Sequence, residues 1–314
     1  MESVFINLNN VQTNVLTWGD PFDSKNSDVI ICITGNPGIP HFYEEFATEL
    51  NKSTSLPICV IGQAGHVEVP EEKSNVLERR EHLFNLEAQV HHKLDLIDKI
   101  DKRRNIHLIG HSIGAWLILE AINKRESLID RICSINLLFP TIQRMAESPN
   151  GKKLNGIVRR LHFVAILLFT LIHSLPDTVQ RFLVGAYLKL NRLPPHYDER
   201  ILKYLRPRVA EKVLHMAYDE MDRVVALEGV SGALARTKQI TNVVYGSRDG
   251  WAPAAYMEDL RPYQPELQMN QVHIDHTFVF TSSEKVAQLN VNFLHCVTDT
   301  LCHVGDELAL SDYK

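Results

Sequence analysis

The spacing of apolar positions changes character several times along the chain. Residues 4–8 and 15–18 are short alternating runs separated by a stretch that begins Asn9-Asn10, which predicts an opening antiparallel hairpin. Residues 28–34 and 56–61 hold continuous apolar runs, Val29 to Ile33 in the first, as in strands covered on both faces. A helix is expected between them, from about His41 to Asn51. From about Asn75 to Lys102, one face collects Leu83, Leu86, Val90, Leu94, Ile97 and Ile100, predicting a single long amphipathic helix. Ile106 to Ile109 form a short strand, followed by an apolar helix through Ala115, Leu117 and Leu119. Residues 130–139 give another strand, stopped by Pro140. Strands over 239–245 and 266–273 follow later, with helices over 254–260 and 284–301. Strands alternating with helices predict an α/β fold with a mostly parallel sheet flanked by helices.

The regular alternation is interrupted between Thr141 and Lys238. Its centre, Leu161 to Ile172, holds ten apolar residues in twelve, and Ser174-Leu-Pro-Asp177 breaks the helix before a second apolar run over 182–190. The division expected is a core of residues 1–140 and 239–314, with a helical cap insertion over 141–238. At 1.5 Å per residue the first run spans about 18 Å, short of a hydrocarbon core of about 30 Å. A helix apolar on all sides must be buried on all sides. A small cap offers little to bury it against, so a helical hairpin dipping into one lipid leaflet is the favoured reading over a buried cap core. The lipid-contacting residues expected are Leu161, Phe163, Ile166, Leu167, Leu168, Phe169 and Phe182. Charge agrees. The chain carries −5 overall, yet residues 151–214 contain twelve Lys or Arg against four Asp or Glu, a basic segment suited to an anionic surface.

The candidate chemistry lies in Gly110-His-Ser-Ile-Gly114, set between a predicted strand and a predicted helix. This is the G-x-S-x-G nucleophile elbow in the context it requires. Such a turn is tight enough to exclude side chains two residues either side of the serine, hence Gly110 and Gly114. Ser112 needs a base, and the base needs an orienting carboxylate. Asp249, just after the strand ending at Tyr245, and His276, just after the last strand, follow in the order Ser, acid, His. His273 falls inside the strand, Asp275 is adjacent to His276 and poorly placed to orient it, and His111 is expected to pack in the elbow. The oxyanion donors expected are the amides of Ile113 and Asn36, the latter in Thr34-Gly-Asn-Pro-Gly38.

These motifs resemble the α/β-hydrolase superfamily over nearly the whole chain. Residues 33–43, 107–116 and 245–251 resemble, more narrowly, the lipid-droplet-associated hydrolases. The resemblance implies residence on lipid droplets and the endoplasmic reticulum, and a part in neutral-lipid turnover with sterol esters as substrates. One departure is that Thr34-Gly35 stands where His-Gly is commonest in the superfamily. The function expected is a serine ester hydrolase acting on neutral lipids. The alternative is a droplet-surface protein with little or no catalysis.

Composition narrows this further. Apolar content of 45% and charged content of 23% are those of a globular chain. Five cysteines without a C-x-x-C spacing argue against a disulfide framework or zinc site, and Cys32, Cys59 and Cys133 sit in apolar strand-like runs. A reducing, cytosol-facing environment is expected, with no cleaved leader. No metal, nucleotide or haem motif occurs, so no cofactor and no metal are expected, and no nucleic-acid partner.

Overall fold

A computed structural model describes residues 1–23, 27–70 and 76–311, with side chains described as far as residue 297. The opening hairpin forms as β1 (Glu2–Leu8) and β2 (Val11–Trp18), both longer than the alternating runs alone. Six further strands follow: β3 (Asp28–Ile33), β4 (Ile58–Ile61), β5 (Asn105–His111), β6 (Ile132–Leu138), β7 (Thr241–Gly246) and β8 (Gln268–Val272). Together they make an eight-stranded sheet in the order β1-β2-β4-β3-β5-β6-β7-β8. The β1–β2 and β2–β4 pairs are antiparallel and all the others parallel.

The continuous apolar runs are explained by burial on both faces. Along β3, Ile31 and Ile33 join one hydrophobic core while Ile30 and Cys32 join the other, the period of two that a strand imposes. The first core is roofed by α2 (Leu86–Lys99), α3 (Ile113–Lys124) and α9 (Glu228–Thr237). The second lies under α1 (Glu44–Thr54) and α10 (Ser283–Ser311).

Four predicted helices differ in extent, and the closing one, expected over 284–301, runs on to Ser311. The long helix expected from Asn75 begins only at Leu86, where the Asn85 side chain accepts the Ala88 amide as an N-cap. Leu83 lies in a separate 3-10 turn, Glu81–Leu83, and Asn75 lies outside the described residues. The helix expected from His41 opens as a 3-10 turn, Pro40–Tyr43, and becomes α-helical at Glu44. The one expected over 254–260 is a 3-10 helix, Ala254–Tyr263. Cys32, Cys59, Cys133 and Cys296 are free thiols, and the Cys302 side chain lies outside the described residues.

Between β6 and β7 the chain forms α4 (Pro149–Lys153), α5 (His162–His173), α6 (Asp177–Leu190), α7 (Asp198–Tyr204), α8 (Pro207–Arg223) and then α9. The amphipathic α8 buries Val209, Val213, Met216 and Ala217. No residue of α5 is buried, and α6 buries only Gln180, Val184 and Leu188, a single stripe at four-residue spacing. The apolar run is therefore not the core of a cap. Among the described residues no single helix is long and apolar enough to cross a membrane.

Candidate functional site

The strand β5 ends at His111 and α3 begins at Ile113, which leaves Ser112 alone to make the turn, at φ 55° and ψ −122°. Few L-residues adopt such a backbone, and it is held by contacts on every side. A Cβ at Gly110 would lie 2.7 Å from the Gly114 carbonyl oxygen, and one at Gly114 would lie 2.4 Å from that of Ile33. The two glycines are required by close approach, as the motif predicts.

The three chemical side chains come together across 164 residues of sequence. His276 Nδ1–H donates to Asp249 Oδ2 at 2.7 Å, and His276 Nε2 then accepts from the Ser112 hydroxyl at 3.0 Å. The other carboxylate oxygen of Asp249 accepts the amides of Trp251 at 2.7 Å and Ala252 at 2.9 Å. Burial alone would raise the Asp249 pKa. The His276 contact and the two amides outweigh it and hold the group below the usual carboxylate range. A serine, an imidazole with its acceptor nitrogen turned toward it, and an ionised carboxylate behind the ring are the parts of an activated nucleophile. His273 hydrogen-bonds Ser247 at 2.8 Å at the surface, and Asp275 is exposed.

His111 has a part that the sequence left as packing. The Gly35 amide donates to Tyr43 Oη at 2.8 Å, and Tyr43 Oη–H donates to His111 Nδ1 at 2.6 Å. His111 Nε2–H donates to the His276 carbonyl at 2.9 Å. Burial, and after it the neighbouring His276, pushes the His111 pKa down to about 3, so the ring stays neutral and can accept and donate at once. The loop after β3, the elbow and the base loop are thus joined by one buried hydrogen-bonded path.

The loop after β3 lies against the nucleophile: a Cβ on Gly35 would be 3.0 Å from that of Ser112. Gln63 donates to the Thr34 carbonyl at 2.7 Å, and the Gly38 amide donates to His66 Nδ1 at 3.0 Å. The amides of Asn36 and Ile113 meet no acceptor among the described residues. The Asn36 side chain is engaged. Its Nδ2 donates to Glu220 Oε1 at 2.7 Å and to the Val213 carbonyl at 3.2 Å. Glu220 is a fully buried acid on α8, and burial, aided by nearby Asp219, pushes its pKa up to about 8. Neither Tyr43 nor Glu220 carries a local motif. Glu220 stands 184 residues from its partner.

Of the seven residues expected to meet lipid, Leu161, Phe163, Leu167, Leu168 and Phe182 are exposed, Phe163 by 86% and Phe182 by 74%. Ile166 and Phe169 are half-buried, and the Phe169 ring packs edge-on against Tyr204. The surrounding basic residues divide. Arg159 pairs with Asp222, Arg181 with Asp198, Arg200 with Glu44 and Glu45, and Arg206 with Glu68. Arg160, Lys189 and Arg192 are exposed and form no ion pair among the described residues. The free positive charge beside the apolar face is accordingly smaller than the count of basic residues suggests.

A family described as lipid-droplet associated hydrolase matches residues 26–279. A lipid droplet-associated hydrolase of Drosophila melanogaster is 37% identical over 297 residues, covering 91% of this chain and 96% of the relative. The human protein of the same description is 29% identical over 308 residues, covering 91% and 92%. Among solved structures, a bacterial membrane phospholipase A superposes with a TM-score of 0.65 at 16% identity, covering 95% of this chain and 86% of that one. The sheet order, the elbow and these neighbours together make the fold that of the α/β-hydrolases.

Proposed function

From the chain's membership of the lipid-droplet-associated hydrolase family, we propose that it is a serine hydrolase of neutral-lipid esters, sterol esters among them, working at the droplet surface. The observation that carries this reading is the aligned set Ser112, His276 and Asp249. His276 removes the proton from Ser112 Oγ as that oxygen attacks the ester carbonyl. The oxyanion forms toward the amides of Asn36 and Ile113, where the N-terminus of α3 adds its positive end. His276 returns the proton to the departing alcohol, and water then repeats the sequence to release the acid. Asp249 keeps the ring oriented and stabilises its protonated state.

The exposed apolar side chains of α5 and α6 support monotopic association with one leaflet, with Arg160, Lys189 and Arg192 meeting head groups. A droplet suits such a device because its single phospholipid layer has no second aqueous side. The same face would seat the protein on the cytosolic side of the endoplasmic reticulum. A second reading, a surface protein with little turnover, is favoured by one fact: Ser112 is only 5% exposed. Labelling of purified protein with a small fluorophosphonate decides between them. Wild type should label, Ser112→Ala should not, and Asp249→Asn should label about a thousandfold or more slowly, having lost its orienting anion. Equal labelling of wild type and Ser112→Ala would remove Ser112 as nucleophile.

A further inference from the structure

A cavity of about 480 Å³ lies where α5, α6 and α7 meet the core. One wall is Pro37, Phe42 and Phe280, and the opposite wall includes Phe169, Val184 and Ile201. Among the described residues no charged side chain lines it. A second cavity of similar size, about 520 Å³, lies beside α1 and is lined by Glu44, Glu45, Glu49 and Lys52, where a hydrocarbon would strand charges.

We propose that the apolar cavity holds the fatty acyl chain of the ester, a role that rests on the hydrolase reading above. Its position is the first argument. Pro37 follows Asn36, whose amide meets no acceptor among the described residues, in a loop that abuts Ser112. Phe280 closes the turn after His276 and packs edge-on against Phe42, with centroids 5.3 Å apart. The chain would leave the reacting carbonyl across Pro37 and run between the core and the insert. Size is the second argument. At about 30 Å³ per methylene, close to a water's share of liquid volume, the cavity takes roughly sixteen carbons. That is one fatty acyl chain, and a sterol with its side chain exceeds it. Continuity is the third. The helices that wall the cavity inward with Phe169 and Val184 expose Phe163, Leu167, Leu168 and Phe182 outward. An acyl chain moving from lipid between these helices stays in apolar surroundings throughout, which avoids rehydrating it.

The test compares p-nitrophenyl laurate with the butyrate on wild type and on Val184→Trp, which fills the cavity from α6. The laurate-to-butyrate ratio of kcat/KM should fall at least tenfold in the variant. Labelling of Ser112 and thermal unfolding report whether that variant is folded, and Ile201→Trp, from α7, serves if it is not. An unchanged ratio in a folded, labelled variant overturns the proposal. A binding measurement stands apart from catalysis. Ser112→Ala should bind radiolabelled palmitate, and Ser112→Ala with Val184→Trp should bind it at least tenfold more weakly. If the protein hydrolyses nothing but binding behaves so, the hydrolase reading fails and the acyl site stands. If cholesterol displaces the palmitate from Ser112→Ala, the cavity is a sterol site and the proposal fails.

Discussion

Glu220→Gln isolates the acid that ties the insert to the loop beside Ser112. Gln retains an oxygen to accept the Asn36 amide proton, so the hydrogen bond at 2.7 Å survives while the titratable group is removed. In the folded protein the carboxyl ionises only near pH 8, whereas an exposed Glu does so near 4.5. Between those values the folded state binds more protons than the unfolded chain, so wild-type stability must fall as pH rises. Below about 4.5 the contribution is intact, and above about 8 the loss is complete. Within the window the slope is about 1.4 kcal/mol per pH unit. From pH 5.5 to 7.5 wild type therefore loses on the order of 2–3 kcal/mol that the variant keeps, or about 5 °C in Tm for a chain of this size. The assay is thermal unfolding of both proteins at the two pH values. All other titrations cancel in the difference. The variant should match wild type within about 1 kcal/mol at pH 5.5 and exceed it clearly at 7.5. Identical shifts in the two proteins would mean that Glu220 is ionised in the fold, and the reasoning from its burial would be refuted.

Two further perturbations follow from the geometry. Phe163→Asp with Leu167→Asp should abolish flotation with phospholipid-coated triolein emulsions, since each change removes about 1.5–3 kcal/mol of apolar transfer and places a charge at depth at about 2.5–3.5 kcal/mol. Both side chains are exposed, so Tm should stay within about 2 °C, and unchanged flotation would move the lipid contact elsewhere. His111→Phe leaves the Tyr43 hydroxyl proton without its acceptor, though the Gly35 amide still donates to that oxygen, and removes the donor to the His276 carbonyl. It should cost about 2–4 kcal/mol by chemical unfolding and lower kcat more than it raises KM. In a cycle with Tyr43→Phe, strictly additive effects would mean that the buried path does not act as a unit.

Local pattern determined much of this protein. The continuous apolar runs of β3, β4 and β5 required a sheet covered on both faces, because alternate side chains must each find a core. Gly110, Ser112 and Gly114 determined the elbow, since steric exclusion in a tight turn is a property of neighbouring residues. Asp249 and His276 were legible because chain order and strand ends fix where such partners stand. The twelve-residue apolar run of the insert was legible as a surface because only His162 and Thr170 interrupt it, too few to set a polar face against a buried one. Tertiary structure decided the rest. The length of α2 depended on one capping side chain, Asn85, which ends a periodicity that apolar spacing alone continues. The pairing of Arg159, Arg200 and Arg206 with acids could not be counted from composition, because it needs elements far apart in sequence to meet. Tyr43, His111 and Glu220 gained their roles in the same way. A hydroxyl, a neutral imidazole and a buried carboxyl have no distinctive spacing. Their chemistry is set by desolvation and by partners that only the folded chain brings within hydrogen-bond reach.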